Sequence, residues 1–293
     1  MTLARAFGLS VVGALAVALC LSPRLGRAHH VPGHGSSEGV RSINTIGNRG
    51  GNAQTRLVLL GEFTHAGGGR TPGQQYATSL LGEYAPIPEF SMGLQLPLQI
   101  LDERGQPVTA GYGDTRLQLR YTPHATKLIH RVLTLGVNVS LPTRTVRSTA
   151  DPGRTWAVAP NVIFTRTYSR WFWQVLGVST VETRPAGTSL DLGVAGQTGL
   201  RLARGRVNPG LGLLVESRLA TWCVPAAGGA QAFCRDGRAT ETQRELGTTR
   251  ATALLSLSYN FHPRAALWIS GQAPVSPVKD YDVGASVGLQ ATF

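Results

Sequence analysis

Alternation between apolar and polar side chains is the dominant pattern in this chain, and it is clearest in the last twelve residues. From Asp282 to Phe293, valine, alanine, leucine or phenylalanine occupies every second position, and small or polar residues occupy the positions between. A two-residue period places the two sets on opposite faces of an extended strand. A strand of about ten residues, tilted by about 45°, can cross a hydrocarbon layer about 30 Å thick. The segment therefore predicts a strand with apolar material on one side and water on the other.

The same period recurs upstream and predicts twelve strands. In residues 92–100 and 132–141, nearly every second residue is leucine, isoleucine, valine or methionine. These segments are longer than the five to six residues that are usual for strands, and bacterial single-chain barrels have even strand numbers. The predicted fold class is therefore all-β, a transmembrane antiparallel β-barrel. The predicted strands are about 54–65, 75–85, 90–100, 113–121, 132–141, 156–167, 171–183, 189–201, 207–221, 248–261, 265–275 and 282–293.

Two features of this layout do not depend on alternation. With both chain ends on one side, the links on that side are mostly short, and those on the other side are mostly longer, the longest at 222–247. Aromatic residues lie at the strand ends beside the short links, as a membrane–water boundary favours. Both features are typical of outer-membrane barrels, whose short turns face the periplasm. The aromatic residues are Tyr84, Phe90, Tyr121, Tyr168, Trp171, Trp173, Tyr259, Phe261 and Phe293.

The first 28 residues have the composition of a secretory signal peptide. Arg5 precedes an uncharged apolar run at residues 6–21, and a small-x-small cleavage site follows at Gly26–Ala28. This order predicts a cleaved signal peptide, and a retained membrane helix is the alternative. The predicted organisation is a signal peptide at 1–28, a flexible periplasmic segment rich in histidine and glycine at 29–53, and an outer-membrane barrel at 54–293.

Three histidines open the predicted mature chain, at His29, His30 and His34. A free N-terminal histidine with two close neighbours could bind copper or zinc through neutral imidazoles. A disordered periplasmic tail is the alternative, because a short histidine-rich tract is compositional evidence only.

Cys223 and Cys234 both lie in the longest predicted outer loop. Passage through an oxidising periplasm predicts a disulfide between them, worth about 3 kcal/mol in the chain-entropy model. No second cysteine pair or nearby histidine accompanies them, so a metal site is not predicted there.

The formal net charge of +12 changes the list of expected partners. The basic residues are scattered over many predicted links, whereas a nucleic-acid-binding domain concentrates them in one patch. Nucleic-acid binding is therefore not predicted. The excess is expected to face anionic headgroups, so outer-membrane lipid and lipopolysaccharide are the predicted partners.

The inward-facing positions of the predicted strands carry charged and amide side chains. Charges on an inner wall can select ions or bind solute, and neighbouring opposite charges can instead neutralise each other. The pairs Asp191–Arg218 and Glu216–Arg250 are predicted to neutralise each other near the outer mouth. Arg116, Arg120 and Arg201 have no obvious acidic partner and are the candidates for contacting an anionic solute, with Gln95, Gln99 and Asn138 beside them.

Two prolines interrupt predicted strands that have no free edge. Pro97 and Pro160 cannot donate to the ladder, so each predicts a bulge. Such a bulge could open a lateral exit in the wall, and a harmless kink is the alternative.

Two segments resemble known families. Residues 111–121, Gly-Tyr-Gly-Asp-Thr-Arg-Leu-Gln-Leu-Arg-Tyr, resemble the G-x-G-D-x-x-L-x-x-x-Y strand of the outer-membrane transporters named for the MetA pathway of phenol degradation, and Val139–Thr143 resembles that family's next strand end. At the following position Arg144 replaces the glycine usual in the family. The strand that ends in Phe293 resembles the terminal strand by which outer-membrane barrels are recognised by the barrel-assembly machinery. The resemblance to the MetA-pathway transporters implies a barrel that passes small, often aromatic or apolar, compounds, and it carries over no binding residue.

These observations favour a non-enzymatic channel or transporter in the outer membrane of a Gram-negative bacterium, passively conducting a small solute that is aromatic or anionic. A metal-associated porin using the histidine cluster and a closed structural barrel are the alternatives. A hydrolase ranks last, because His65 is the only histidine near a predicted outer strand end and no catalytic arrangement accompanies it.

Overall fold

The computed structural model describes residues 53–66, 73–123, 131–146, 156–184, 187–223, 249–277 and 281–293. These segments form thirteen β-strands and one short 3-10 turn at Ala203–Gly205. No helix within them is long and apolar enough to cross a membrane. The strands are β1 (Arg56–Ala66), β2 (Gly73–Ile87), β3 (Phe90–Glu103), β4 (Thr109–Tyr112), β5 (Arg116–Tyr121), β6 (Arg131–Ser140), β7 (Trp156–Thr167), β8 (Trp171–Arg184), β9 (Gly187–Leu200), β10 (Val207–Cys223), β11 (Thr249–His262), β12 (Ala265–Pro274) and β13 (Val283–Thr292).

The sheet closes on itself. Neighbouring strands pair antiparallel around the sheet, and β1 pairs with both β2 and β13. β4 and β5 together occupy one position, because both pair with β3, one along its second half and the other along its first half. The described strands therefore form a closed twelve-stranded antiparallel barrel, which confirms the predicted fold class and strand number. Closure leaves no free sheet edge except at β4, which among the described strands pairs with β3 alone.

Burial alternates along the strands as the sequence predicts. In β13, Val283, Val287 and Leu289 are each 46% exposed, whereas Ser286 and Gln290, at positions of the opposite parity, are buried. Large apolar side chains are exposed in the same way on the outward face of most other strands. Such a surface is costly in water and favourable in lipid, so the outward face has the character of a membrane-spanning barrel.

The start of β1 and the end of β13 lie at one end of the barrel, here called the terminal end, and the opposite end is called the far end. The Phe293 N–H donates to the Thr55 carbonyl at 2.9 Å, which fixes the end of the last strand beside the start of the first. Aromatic side chains lie at the terminal end as predicted, and among them Tyr168 stacks on Trp171 with ring centroids 4.1 Å apart.

A second aromatic group lies at the far end, and the sequence did not predict it. The rings of Phe63 and Tyr76 lie 5.1 Å apart, and the side chains of Tyr112 on β4 and Trp156 on β7 are exposed on the outward face at the same end of the barrel. Tyr76 and Tyr84 are eight residues apart on β2, which corresponds to about 27 Å along the strand. With strands tilted by about 40° from the barrel axis, this is about 20 Å along the axis. Two aromatic girdles separated by this distance match the boundaries of a hydrocarbon layer.

The two strand prolines differ from the prediction. The register is the same on both sides of Pro160, with Val158 opposite Val181 and Asn161 opposite Val178, so the predicted bulge there is wrong. Proline removes a donor from the ladder at that step without adding a residue.

At Pro97 a bulge does form, but in the neighbouring strand. Gln95 is opposite Arg116 and Leu98 is opposite Tyr112, so two residues of β3 face three residues, 113–115, between β4 and β5. The extra residue therefore interrupts the wall between β4 and β5.

Candidate functional site: the lining of the barrel

A buried charged network lies on the inner wall near the terminal end. Glu83 accepts hydrogen bonds from Arg56 Nε and from Ser91 Oγ, each at 2.6 Å, and Arg120 Nη1 lies 3.4 Å from the same carboxylate. Arg120 Nη2 also donates to Gln118 Oε1 at 3.3 Å. The charged side chains of this network are at most 7% exposed. Buried charges of this kind are stable because each is paired and hydrogen-bonded.

The sequence predicts that Arg120 lacks an acidic partner, and this prediction is wrong. Strand register places Arg56 opposite Glu83 on β1 and β2, and it places Ser91 opposite Arg120 on β3 and β5. The partner therefore comes from a different hairpin, two barrel positions away. The two-residue period of β1 places the charged residues Arg56 and Glu62 on the same, inward face, and this placement is the signal that could have identified the network.

The other predicted lining residues of this region do face the interior. Gln95 is opposite Arg116, and Gln118 is opposite Asn138 one strand further on. Gln99 lies four residues after Gln95 on the same strand, so the two side chains share a face. All of these side chains are buried. Together with the charged network they form a polar lining on β1–β6.

Arg201 does not share this location. It follows the last residue of β9, and its Nη1 donates to the Tyr168 carbonyl of the adjacent turn at 3.0 Å. The side chain also packs against Gly205, where a Cβ atom would lie 3.0 Å from Arg201 Nη2. The predicted placement on the inner wall is therefore wrong, because the guanidinium group holds two turns together at the terminal end.

Charged pairs lie further along the bore, towards the far end. Arg218 donates from Nε to Asp191 Oδ1 at 2.8 Å and from Nη2 to Oδ2 at 3.2 Å, so the predicted pair forms with a two-pronged geometry. Glu216 is opposite Arg250 in the register of β10 and β11. A bulge in β10 at Leu219 follows the first of these pairs.

An apolar patch interrupts the polar lining, contrary to the uniform inward polarity that alternation predicts. It crosses five consecutive strands, β7 to β11, and each side chain is at most 3% exposed. A patch of this size on the inner wall can bind the apolar body of a solute or pack against other side chains. The patch consists of Ile163, Leu176, Ala195, Leu214 and Leu254.

A second apolar cluster lies beside the charged network. Trp268 packs over Gly288 on the adjacent strand, and Val58, Leu60 and Leu81 complete the cluster. A Cβ atom at Gly288 would overlap the indole ring, so only glycine leaves room for this arrangement. The barrel interior therefore has two apolar surfaces, one on β7–β11 and one on β1, β2 and β12 beside the charged network.

A short segment after β6, residues 141–146, lies across the interruption between β4 and β5 and is here called the strap. Tyr112 N–H donates to Thr145 Oγ1 at 2.8 Å, and the amides of Thr145 and Val146 donate to the Tyr112 carbonyl at 2.9 and 3.3 Å. Arg144 Nη2 lies 3.1 Å from Asp114 Oδ2, and the Arg144 N–H donates to Asp114 Oδ1 at 3.1 Å. The strap therefore closes the wall where the fourth position of the barrel is broken.

Several predicted features lie outside the described residues. They are the signal peptide, residues 29–52 with His29, His30 and His34, and Cys234 of the predicted disulfide. Within the described segments, no group of three or more histidine, cysteine, aspartate or glutamate residues is arranged to hold a metal ion.

No family model matches this sequence, and no curated protein matches it significantly. Solved structures of membrane barrels resemble it in fold. An outer membrane channel from Pseudomonas putida F1 is 12% identical with a TM-score of 0.60, and the match covers 82% of this chain and 96% of that chain. The KdgM porin, solved with disordered oligogalacturonate, is 10% identical with a TM-score of 0.46 over 81% of this chain and 99% of its own. The NanC porin is 9% identical with a TM-score of 0.48 over 81% and 98%. The first of these matches shows that the chain has the fold of an outer-membrane β-barrel.

Proposed function

We propose that this protein is an outer-membrane channel through which a small solute crosses passively. The observation that carries the proposal is the closed barrel, apolar on its outward face and lined by paired charges, amides and apolar patches. The fold shared with the channel from P. putida supports it, as does the resemblance of residues 111–121 to the MetA-pathway transporters. In the outer membrane of a Gram-negative bacterium, the terminal end with its short turns would face the periplasm.

The lining favours a solute with an anionic group and an apolar body. In the buried network near the terminal end, two arginines, Arg56 and Arg120, share the single carboxylate of Glu83. This excess of positive charge attracts anions, and guanidinium groups bind carboxylates well. The apolar patch on β7–β11 can contact an aromatic or aliphatic body. A small aromatic carboxylate combines both properties.

A closed structural barrel is the second candidate, and one observation favours it. The side chains of Leu176 and Leu214 in the apolar patch are each 1% exposed, so water does not reach them in this arrangement. A solute that contacts the patch must displace the groups that cover it. Conduction through this level therefore requires side chains or backbone segments to move.

Planar-bilayer recordings separate the two candidates. We expect the mature chain to conduct, and its reversal potential under a KCl gradient to report anion preference. Arg116→Gln should reduce the anion-to-cation permeability ratio by a factor of about two, because a unit charge about 8 Å away in water contributes about 0.5 kcal/mol. Arg104→Gln, in an exposed turn at the far end, is the matched control. Absence of conductance favours the closed barrel, and cation preference contradicts the anionic solute.

Liposome swelling tests the solute class directly. Benzoate and benzyl alcohol have similar size and the same aromatic ring, and they differ in charge. We expect benzoate to enter proteoliposomes faster, because its carboxylate interacts with the arginine-rich half of the lining. Equal rates would remove the anionic part of the proposal and leave the channel itself in place.

A further inference from the structure

Two arginines lie directly opposite each other on the outward face of the barrel. Arg131 at the start of β6 pairs with Arg166 near the end of β7. Both share the alternation parity of the exposed lipid-type residues on their strands, Leu133 and Val162 among them. Directly opposed residues of an antiparallel pair have Cβ atoms about 5 Å apart. Two positive side chains are therefore held side by side at the terminal end.

No acidic group compensates this pair in the described part of the chain. Like charges directly opposite each other destabilise a sheet. The nearest exposed charged residue on the following turn, Arg170, is again positive. Among the described residues of the turns at the terminal end, Glu89 is the only acid, and it lies on the far side of β3 and β5.

Aromatic rings flank the arginine pair and set its depth in the membrane. The guanidinium carbon of Arg166 lies 4.8 Å from the centroid of the Tyr168 ring, which stacks on Trp171. Trp173 is opposite Arg166 on β8, and its ring lies 5.2 Å from that of Phe164. Tyrosine and tryptophan mark the level of the headgroups in membrane proteins. The pair therefore faces the headgroup layer and not bulk water.

We propose that Arg131 and Arg166 bind the phosphate of an anionic phospholipid, of the phosphatidylglycerol class, in the leaflet next to the terminal end. A phosphodiester carries one negative charge and several acceptor oxygens, and the guanidinium groups of two arginines whose Cβ atoms lie about 5 Å apart can donate to it together. A bound anion offsets the repulsion between the two arginines, so the pair is stable when the phosphate is present. Lipid is the source, because both side chains point outward from the wall into the aromatic girdle.

The assignment of this leaflet to the periplasmic side rests on the orientation under the proposed function. Phosphate binding by the pair does not depend on conduction. Failure of the lipid test would therefore leave the bilayer recordings unaffected, and absence of conductance would leave the lipid test unaffected.

Native mass spectrometry of the mature chain tests the site. We expect phosphatidylglycerol to be retained in preference to phosphatidylcholine, which carries the same phosphate but no net charge. Arg131→Gln or Arg166→Gln should each weaken retention about tenfold, equivalent to about 1.4 kcal/mol, whereas Arg104→Gln should not change it. Inorganic phosphate should not displace the lipid. Equal retention of the two lipids, or equal retention by wild type and both variants, would overturn the proposal, and stronger retention of lipopolysaccharide would overturn the assigned leaflet.

Thermal stability provides a second readout, because the effect of Arg131→Gln on the unfolding midpoint should differ in sign between neutral detergent and anionic lipid. In a neutral detergent, Arg131→Gln removes a like-charge contact and should raise the unfolding midpoint or leave it unchanged. In bicelles rich in phosphatidylglycerol, the same substitution removes a lipid ligand and should lower the midpoint. A shift of the same sign in both media contradicts a lipid site. A variant that does not fold is replaced by Arg166→Lys, which keeps the charge and loses the forked geometry.

Discussion

Glu83 joins two buried arginines, so neutralising it should destabilise the barrel and alter its conductance together. In Glu83→Gln the carboxylate that receives Arg56 at 2.6 Å and faces Arg120 at 3.4 Å becomes a neutral amide of nearly the same shape. The two guanidinium groups then face each other without an acid between them. The Ser91 hydroxyl can still donate to the amide oxygen, so the change isolates the charge.

The magnitude follows from the geometry. At a separation of 4 Å and an effective dielectric constant of 20, one ion pair contributes about 4 kcal/mol before desolvation is considered. The glutamate and both arginines are nearly inaccessible to water, so solvent screens them weakly. Removing one partner of a buried pair costs about 3–5 kcal/mol, because the remaining charge is uncompensated. We expect a loss of that size in the free energy of unfolding, and a stronger preference of the pore for anions.

Urea unfolding of the barrel in lipid vesicles, followed by tryptophan fluorescence, measures the first effect, and reversal potentials measure the second. A double-mutant cycle with Arg56→Gln provides the control. Removing Arg56 as well relieves the repulsion, so the double variant should be more stable than the sum of the two single losses predicts. A loss below about 1 kcal/mol for Glu83→Gln, with no coupling in the cycle, would refute the reasoning that the network is a buried and compensated set of charges.

Two further substitutions test other parts of the wall. Gly288→Ala should lower the free energy of unfolding by about 1–3 kcal/mol because the new methyl group overlaps the rigid indole of Trp268, whereas Gly271→Ala on the adjacent strand, with open space around it, should have little effect; equal urea midpoints for the two variants would contradict the packing described. Asp114→Asn should loosen the strap by removing its ion pair with Arg144, so hydrogen exchange of the strap amides should accelerate by about tenfold or more. Unchanged exchange would mean that the backbone bonds alone hold the strap.

Strand alternation was sufficient to predict the class of fold, the number of barrel positions and the faces of most side chains. A lipid-facing wall must be apolar at its outward positions, and each strand meets this requirement through its own sequence, independently of its neighbours. Val283, Val287 and Leu289 illustrate this in β13. The same local pattern placed Gln95 and Asn138 on the inner wall. The pairing of Asp191 with Arg218 could also be predicted, because the two residues come from strands joined by one short turn.

Only the closed structure decided which groups meet across several strands. Arg120 meets Glu83 and Arg56 because register, set by the turns and the closure between β1 and β13, brings three hairpins to one level of the bore. The apolar patch is invisible to alternation, because each strand contributes one exception and the exceptions form a surface only when the strands are aligned. The pairing of Arg131 with Arg166 was also decided by the tertiary structure. The length of the connection between β6 and β7 does not fix which residues of the two strands lie opposite each other. Local patterns therefore determined the wall, and tertiary closure determined the chemistry on both of its faces.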